Sequence, residues 1–321
     1  MLIINEEIAQ ATVSRSEAFA AVEQAFAAMA TGAARNFPVV REALGYADAL
    51  YGFKSGFDSS AGVLGLKAGG YWPGNADQGL TNHQSSVFLF DPDTGQPSAM
   101  VAGNYLTAIR TAAACAIAIH HLARANARTL GIIGAGHQSQ FQLRAAAEQR
   151  DFDRVLAWNI SPHGLDRLAE IAAEIGLDFK VVERDELTQE ADVIVTITSC
   201  FEPLLMADQI RPGTHLCCMG TDTIGKQEVD PALVAKARLF TDEPAQAAQL
   251  GECQHAVKAK LISEQDIVPI GAVIAGQQQG RTDNDDITLF DGTGVGLQDL
   301  AVAARAIELA RKTGQGQKVE F

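Results

Sequence analysis

Apolar residues recur at helical spacing between positions 15 and 30, with Ala18, Ala21, Val22, Phe26 and Met29 on one stripe, just after a short apolar run at positions 1–5. Such a stripe is buried against another layer, so the pattern predicts a strand followed by a helix packed on a sheet. From Phe37 to Pro97 the style changes to short runs, Ala49-Leu-Tyr-Gly-Phe-Lys54, Val63-Leu-Gly-Leu-Lys-Ala68 and Ser85-Ser-Val-Phe-Leu-Phe90, separated by Gly, Asn, Asp and Pro. Runs of that length between turn residues predict a meandering antiparallel sheet. Asp91-Pro-Asp-Thr-Gly95 carries tight-turn residues and makes a hairpin of 87–90 and 98–101.

An Ala-rich helix is expected over 104–123. Beyond it strands and helices alternate: strand 129–133, a glycine turn, helix 139–149, strand 154–158, helix 164–175, then strands 180–182, 193–196 and 214–219. That alternation predicts a parallel, doubly wound sheet. Leu297, Leu300, Ala301, Ala304 and Leu309 form a last helical face over 296–311, long enough to return to the first sheet. The expected chain is α/β, with a dinucleotide-binding domain at residues 124–296 and a second, α+β domain made of residues 1–123 and 297–321. Residues 276–286 are polar enough for a mobile loop, and no repeat or low-complexity segment is found.

Composition narrows the function. At 321 residues the chain accommodates two modest cores. With 25 Lys plus Arg against 39 Asp plus Glu its formal charge is −14, which repels a phosphate backbone and argues against nucleic acid as a partner. The longest apolar stretch, 111–119, lies between Arg110 and the pair His120 and His121 and is too short to span a bilayer. Residues 1–10 include Glu6 and Glu7 and lack the pattern of an export signal. The cysteines, Cys115, Cys200, Cys217, Cys218 and Cys253, are odd in number with no C-x-x-C spacing. They read as small buried hydrophobes of a reduced, cytoplasmic protein, and the His and Cys placements provide no metal site.

Gly131-Ile-Ile-Gly134-Ala-Gly136-His-Gln-Ser139 follows a predicted strand and opens a predicted helix, the context in which G-x-G-x-x-[GAS] binds a dinucleotide. Gly134 permits the tight turn, Gly136 lets the main chain approach a pyrophosphate, and Ser139 stands at a helix N-terminus that favours an anion. At the end of the second strand Asn159 replaces the usual acid and can still hydrogen-bond ribose hydroxyls. No Arg lies immediately beside it to grip a 2′-phosphate. NAD is therefore expected, and NADP stays open because His163 and Arg167 are near in sequence.

Arg110 heads a mostly buried helix, where an unpaired guanidinium is costly, so it needs an anion: an internal Asp or Glu, or a substrate carboxylate. Lys67 ends a strand in glycines and, with Arg41 and Arg110, would form a cationic pocket in an acidic protein. His83, followed by Gln84 and two serines, fits either a second carboxylate or an ordinary sheet hydrogen bond. Asp222 follows strand 214–219 at the edge where open α/β sheets bind ligands. Glu228 and Asp230 read as solvated or capping. Neither a Walker-type loop nor a G-x-S-x-G elbow is present.

Gly65-Leu-Lys67-Ala-Gly-Gly, Leu106-Thr-Ala-Ile-Arg110-Thr-Ala-Ala, Gly134-Ala-Gly-His-Gln-Ser139, Gly220-Thr-Asp222-Thr-Ile-Gly-Lys226-Gln-Glu228 and Asp291-Gly-Thr-Gly294 together resemble the ornithine cyclodeaminase and mu-crystallin family over nearly the whole chain. The resemblance implies a Rossmann domain inserted in a substrate-binding and dimerisation domain, and a homodimer paired through the latter. It assigns substrate carboxylates to Arg41, Lys67 and Arg110, and acid/base catalysis to Asp222, with Lys67 as a second candidate. Nucleotide contacts carry over to Thr111, Ala135, Gly136, Gln138, Ser139, Asn159, Thr198, Ser199, Gly220 and Lys226; Gly134, His137, Asp222 and Gly292 join them by position in the same motifs. His137 departs from the small residue common there. The expected reaction is hydride transfer from NAD(P)H to a small anionic α-imino acid, iminosuccinate giving L-aspartate. The alternatives are a cyclodeaminase that recycles its NAD, and a nucleotide- and ligand-binding protein without turnover.

Overall fold

Ser14 accepts a hydrogen bond from the Glu17 amide at 3.2 Å and so starts the helix Arg15–Ala30 where the stripe begins. The computed structural model describes residues 1–320 and contains two compact units. One comprises Met1–Arg110 with the C-terminal segment from Val295; the other is Thr111–Gly294. The divisions fall at 110/111 and 294/295, where the sequence pattern sets its boundaries at 123/124 and 296/297.

The first unit is a mixed sheet. Its strands run, in spatial order, Gln317–Lys318, Leu2–Ile4, Pro97–Ala102, His83–Phe90, Val63–Tyr71, Leu50–Asp58 and Ala34–Asn36, with Val40–Ala43 also pairing Leu50–Asp58. Among the described strands Leu2–Ile4 against Pro97–Ala102 is parallel and the others are antiparallel: Leu50–Asp58, Val63–Tyr71, His83–Phe90 and Pro97–Ala102 form the expected meander, while Ala34–Asn36, Val40–Ala43 and Gln317–Lys318 join it without having been foreseen. One face buries Leu2, Ile4, Val87, Leu89, Ala99 and Val101 beneath the helices Glu6–Thr12 and Gly296–Thr313, and the helix Arg15–Ala30 packs beside the latter. Burying each large aliphatic side chain contributes roughly 1.5–3 kcal/mol. The last helix lies so close that a Cβ on Gly296 would stand 2.9 Å from the Ser55 amide nitrogen, so glycine is required at its first position. On the opposite face Val40, Tyr51 and Phe53 are exposed, and Leu64, Leu66, Phe88 and Phe90 are half-buried.

The second unit is a parallel sheet in the order Asp178–Val181, Arg154–Trp158, Thr129–Ile133, Val193–Thr196, His215–Cys218, Thr288–Asp291, Arg238–Thr241 and Ile267–Pro269. Its first five strands follow the doubly wound order 3-2-1-4-5, which places a switch point between Thr129–Ile133 and Val193–Thr196. A two-stranded parallel pair, Phe201–Leu205 with Gln227–Val229, stands apart from that sheet. The polar segment 276–286 is tied down more than its composition suggests. Arg281 Nε donates to the Leu122 carbonyl at 2.8 Å and its Nη2 to Thr288 Oγ1 at 2.8 Å, while Asp286 gathers the Thr282 and Asp283 amides.

Candidate active site

In the first unit, strand register brings the predicted anion-binding residues onto one face. Arg41 pairs with Gly52, Gly52 with Gly69, and Gly69 with Ser85; the next row runs Lys54, Lys67, Val87; the row on the other side of Gly69 holds Leu50, Tyr71 and His83. Directly opposed antiparallel residues share a face, as do residues two apart. Arg41, Lys54, Lys67 and His83 therefore project to the side that carries the helix Gly296–Thr313, with Gly52 and Gly69 leaving a floor free of side chains between Arg41 and Ser85. Arg41 is exposed, Lys54 and His83 are half-buried, and Lys67 and Arg110 are each 7% exposed.

Arg110 does have an internal acid. Its Nε donates to Asp299 Oδ1 at 3.1 Å and its Nη1 to Gln298 Oε1 at 2.8 Å. Lys67 Nζ lies 3.0 Å from both Asp299 oxygens and 3.3 Å from Thr107 Oγ1. Asp299, wholly buried, thus bridges two cations, and removing one member of a buried ion pair typically costs about 3–5 kcal/mol. Burial opposes the Asp299 charge, but Arg110 and Lys67 outweigh it and hold the carboxyl below its ordinary value. Burial is also the main effect on Lys67; Asp299 resists it, Arg110 and Lys54 add to it, and the ammonium is brought down to about 7. His83 falls to about 3, first through burial and then through Lys67 and Arg110, so its imidazole is neutral in the working range and donates or accepts without adding charge.

In the second unit the glycine turn has the expected form. Gly134 adopts φ +103°, and a Cβ there would stand 2.6 Å from the Ile197 carbonyl oxygen. Gly136 is exposed, with open space where a Cβ would project. The helix Ser139–Ala147 begins at Gln138 without a side-chain cap, and Ser139 Oγ donates to the Gly136 carbonyl at 2.7 Å. These features fit a pyrophosphate: bare main chain beside uncapped helix amides. Asn159 holds the turn, its Oδ1 accepting from the Ala135 amide at 3.3 Å and its Nδ2 donating to the Ser161 and His163 carbonyls at 2.9 and 3.1 Å. Both amide protons are engaged, so toward a ribose it acts as an acceptor only. Ala135 is buried in the turn and His137 is exposed beside it, while Thr111 is buried on its helix.

A second loop of that unit carries Asp222. Lys226 Nζ donates to Asp222 Oδ1 at 2.8 Å and to the Gly220 carbonyl at 3.2 Å. Glu228, expected to be solvated or capping, is fully buried instead. It accepts from Thr196 Oγ1 (2.7 Å), from the amide and hydroxyl of Thr198 (2.7 Å each) and from the Gly220 amide (3.0 Å), joining the loop of Thr198 and Ser199 to that of Asp222. Its neighbour Glu252 is pushed by burial and by the Glu228 charge to about 8. Asp230 does cap, accepting from the Ala232 amide at 2.9 Å. Gly292 follows the strand Thr288–Asp291, its amide donating to the Cys218 carbonyl at 2.9 Å.

The model of the ornithine cyclodeaminase/mu-crystallin family matches residues 1–314. The chain belongs to this family. It is 59% identical to the iminosuccinate reductase of Paracoccus denitrificans over 321 residues, all of both chains. The crystal structure of that enzyme in complex with NAD+ superimposes with a TM-score of 0.97, covering 100% of this chain and 99% of the other. Thermococcus litoralis Δ1-pyrroline-2-carboxylate reductase, in complex with NADH and L-proline, is 30% identical with a TM-score of 0.94, covering 99% and 100%. An archaeal alanine dehydrogenase dimer with bound NAD is 35% identical with a TM-score of 0.94, covering 100% and 99%. Beyond the residues that the family resemblance names for a role, the structure brings Lys54, Glu228 and Asp299 beside the candidate site residues.

Proposed function

We propose that this family member is an NADH-dependent imine reductase that converts iminosuccinate to L-aspartate. The observation that carries the reading is the gathering of cations in the first unit, where buried Lys67 and Arg110 meet on Asp299 with half-buried Lys54 beside them, in a chain of charge −14. Cations gathered on one face suit a small dicarboxylate, and the likeness to an iminosuccinate reductase at 59% identity supports that substrate. A cyclodeaminase substrate presents a distal amine, which this face would repel. The glycine turn, and the NAD+ and NADH named for the two reductases, support NAD as cofactor. NADP is the less favoured form, since Asn159 keeps its amide protons on main-chain carbonyls.

Reduced NAD supplies hydride from nicotinamide C4 to the imine carbon. Arg110, with Arg41 and Lys67, orients the substrate carboxylates; neutral His83 donates to the second. Hydride addition needs a proton on nitrogen. Lys67, titrating near neutrality, or Asp222, beside the Lys226 ammonium, provides it. The test is a spectrophotometric assay with NADH and oxaloacetate plus ammonia, which form iminosuccinate, beside iminopyruvate, cyclic imines and ornithine. Net NADH oxidation with the dicarboxylic imine is expected; turnover of ornithine without net NADH change would replace the reading with cyclodeamination.

His83→Ala is expected to reduce kcat/KM for iminosuccinate roughly tenfold more than for iminopyruvate, which lacks the second carboxylate, because one hydrogen bond to a charged group is worth about 1.5–3 kcal/mol. Equal losses for the two imines, measured side by side, would remove His83 from that role.

The apolar sheet face of the first unit, with Val40, Tyr51 and Phe53 exposed, supports a homodimer, as does the likeness to an alanine dehydrogenase dimer. Light scattering at micromolar concentration is expected to return twice the chain mass of 34.0 kDa, and Phe53→Asp to shift it toward one chain. A wild-type mass of 34.0 kDa would refute the pairing. A cytoplasmic location accords with five free cysteines, and no helix among the described residues is long and apolar enough to cross a membrane.

A further inference from the structure

Asp299 carries no role in the reading above, yet it is the residue on which the cationic face converges. It lies in the first turn of the helix Gly296–Thr313, where the helix dipole favours a negative charge. Gly296 seats that turn against Lys54 and Ser55, so the position of the carboxylate is set by backbone packing rather than by its own flexibility. From there it reaches Lys67 and Arg110, 232 and 189 residues away in sequence. Gln298, one residue earlier, takes the second guanidinium contact.

We propose that Asp299 is the positioning residue of the substrate site, the shared counter-ion that holds Lys67 and Arg110 in place and favours the charged form of Lys67 for an incoming carboxylate. The geometry is that of a bridge: one fully buried carboxylate between an ammonium at 3.0 Å and a guanidinium at 3.1 Å. The charged or titratable groups facing Lys67 are Asp299 from the last helix, Arg110 from the helix Asn104–Leu122, Lys54 from the neighbouring strand and His83 from the strand on the other side. His83 is neutral, and Lys54 and Arg110 both disfavour the Lys67 charge, so Asp299 alone among them sustains it. Asp299 acts through Lys67 and Arg110 and does not need to touch substrate. Without it, an approaching carboxylate would meet a neutral amine above the lowered titration point of Lys67, and a guanidinium no longer held at its Nε.

The inference rests on the reading of this face as the imino-acid site, and its test separates the two. In substrate-free protein the Lys67 side chain is followed by 13C NMR against pH, assigned with Lys67→Gln, and the Asp299 carboxyl carbon is followed in parallel. Lys67 is expected to titrate near 7 in the wild type, with a matching inflection at Asp299, and at least about one unit lower in Asp299→Asn, the size of shift usual for loss of an adjacent opposite charge. The alkaline limb of kcat/KM for iminosuccinate follows, since activity is lost as pH rises through the Lys67 titration. Asp299→Asn therefore loses more activity above neutrality than below it, and Asp299→Glu restores the limb toward its wild-type position. An unmoved Lys67 titration in folded Asp299→Asn overturns the proposal. Should Asp299→Asn not fold, the wild-type inflection decides: its absence at Asp299 overturns the proposal and its presence supports it. Inactivity of the wild type toward every imine would instead overturn the functional reading and leave the NMR result standing.

Discussion

Arg110→Lys is expected to lower kcat/KM for iminosuccinate by about 10²-fold or more, with NADH affinity unchanged, because a point charge cannot reproduce a planar, two-bond grip and small misplacement harms hydride transfer. In the protein as it stands, Arg110 is fixed by Nε on Asp299 and Nη1 on Gln298. Those two bonds hold the guanidinium plane, and with it the directions in which its remaining N–H groups meet a carboxylate. A lysine keeps one positive charge but has no plane to fix, and its ammonium would compete with Lys67 for the same Asp299 oxygens. A hundredfold loss corresponds to about 2.7 kcal/mol of transition-state stabilisation at 1.36 kcal/mol per decade. Steady-state kinetics, paired with a fluorescence titration of NADH, is the measurement. Full activity in Arg110→Lys would show that the carboxylate is bound elsewhere, even with the reaction class correct.

The architecture was legible where local pattern and burial agree. The stripe from Arg15 to Ala30, the hairpin about Asp91 to Gly95, and the strands Thr129–Ile133, Arg154–Trp158 and Val193–Thr196 all form where the pattern places them. The turn at the switch point was legible because a glycine is required at Gly134, where φ is +103° and a Cβ would press on the Ile197 carbonyl. Less legible was the far side of the second sheet, where Thr288–Asp291 enters between His215–Cys218 and Arg238–Thr241. Four fully buried residues such as Thr288 to Asp291 show no alternation, and strand order depends on packing between segments distant in sequence. Val40–Ala43 escaped for the opposite reason: every residue in it is exposed, so it lacks an apolar signature.

Among the candidate site residues, Arg110 and Lys67 could be named because a guanidinium on a buried helix and an ammonium in a glycine-rich strand are locally conspicuous. Their counter-ion could not, since Asp299 is brought to them only by the return of the last helix. Helical periodicity pointed the other way: Asp299 lies on the side opposite the stripe of Leu297, Leu300, Ala301 and Ala304, and it is buried because the whole first turn is. Glu228 poses a similar case: its neighbours Gln227 and Val229 suggest nothing unusual, but four hydrogen bonds, from Thr196 at a strand end and from Thr198 and Gly220 in two loops, make its burial possible. In both instances the question to ask of an acid was what it would face if buried, rather than whether it stood near a turn.

Gly136→Val is expected to weaken NADH binding at least tenfold, about 1.4 kcal/mol or more, while leaving the fold nearly unaltered. The structure separates these two effects. A Cβ at position 136 meets no atom within 4 Å and the backbone there is not left-handed, so valine introduces neither clash nor strain into the protein itself. The space it fills is the one beside the exposed main chain and the uncapped start of the helix Ser139–Ala147, where a pyrophosphate must approach closely to receive amide hydrogen bonds. Gly134→Val provides the contrast. There φ is +103° and the added Cβ would press on the Ile197 carbonyl at 2.6 Å, so both stability and binding are expected to fall together. Thermal unfolding and a fluorescence titration of NADH on the two variants make the comparison. If Gly136→Val keeps wild-type affinity at an unchanged melting temperature, the turn does not hold the cofactor, and the dinucleotide must be sought at another edge of the sheet.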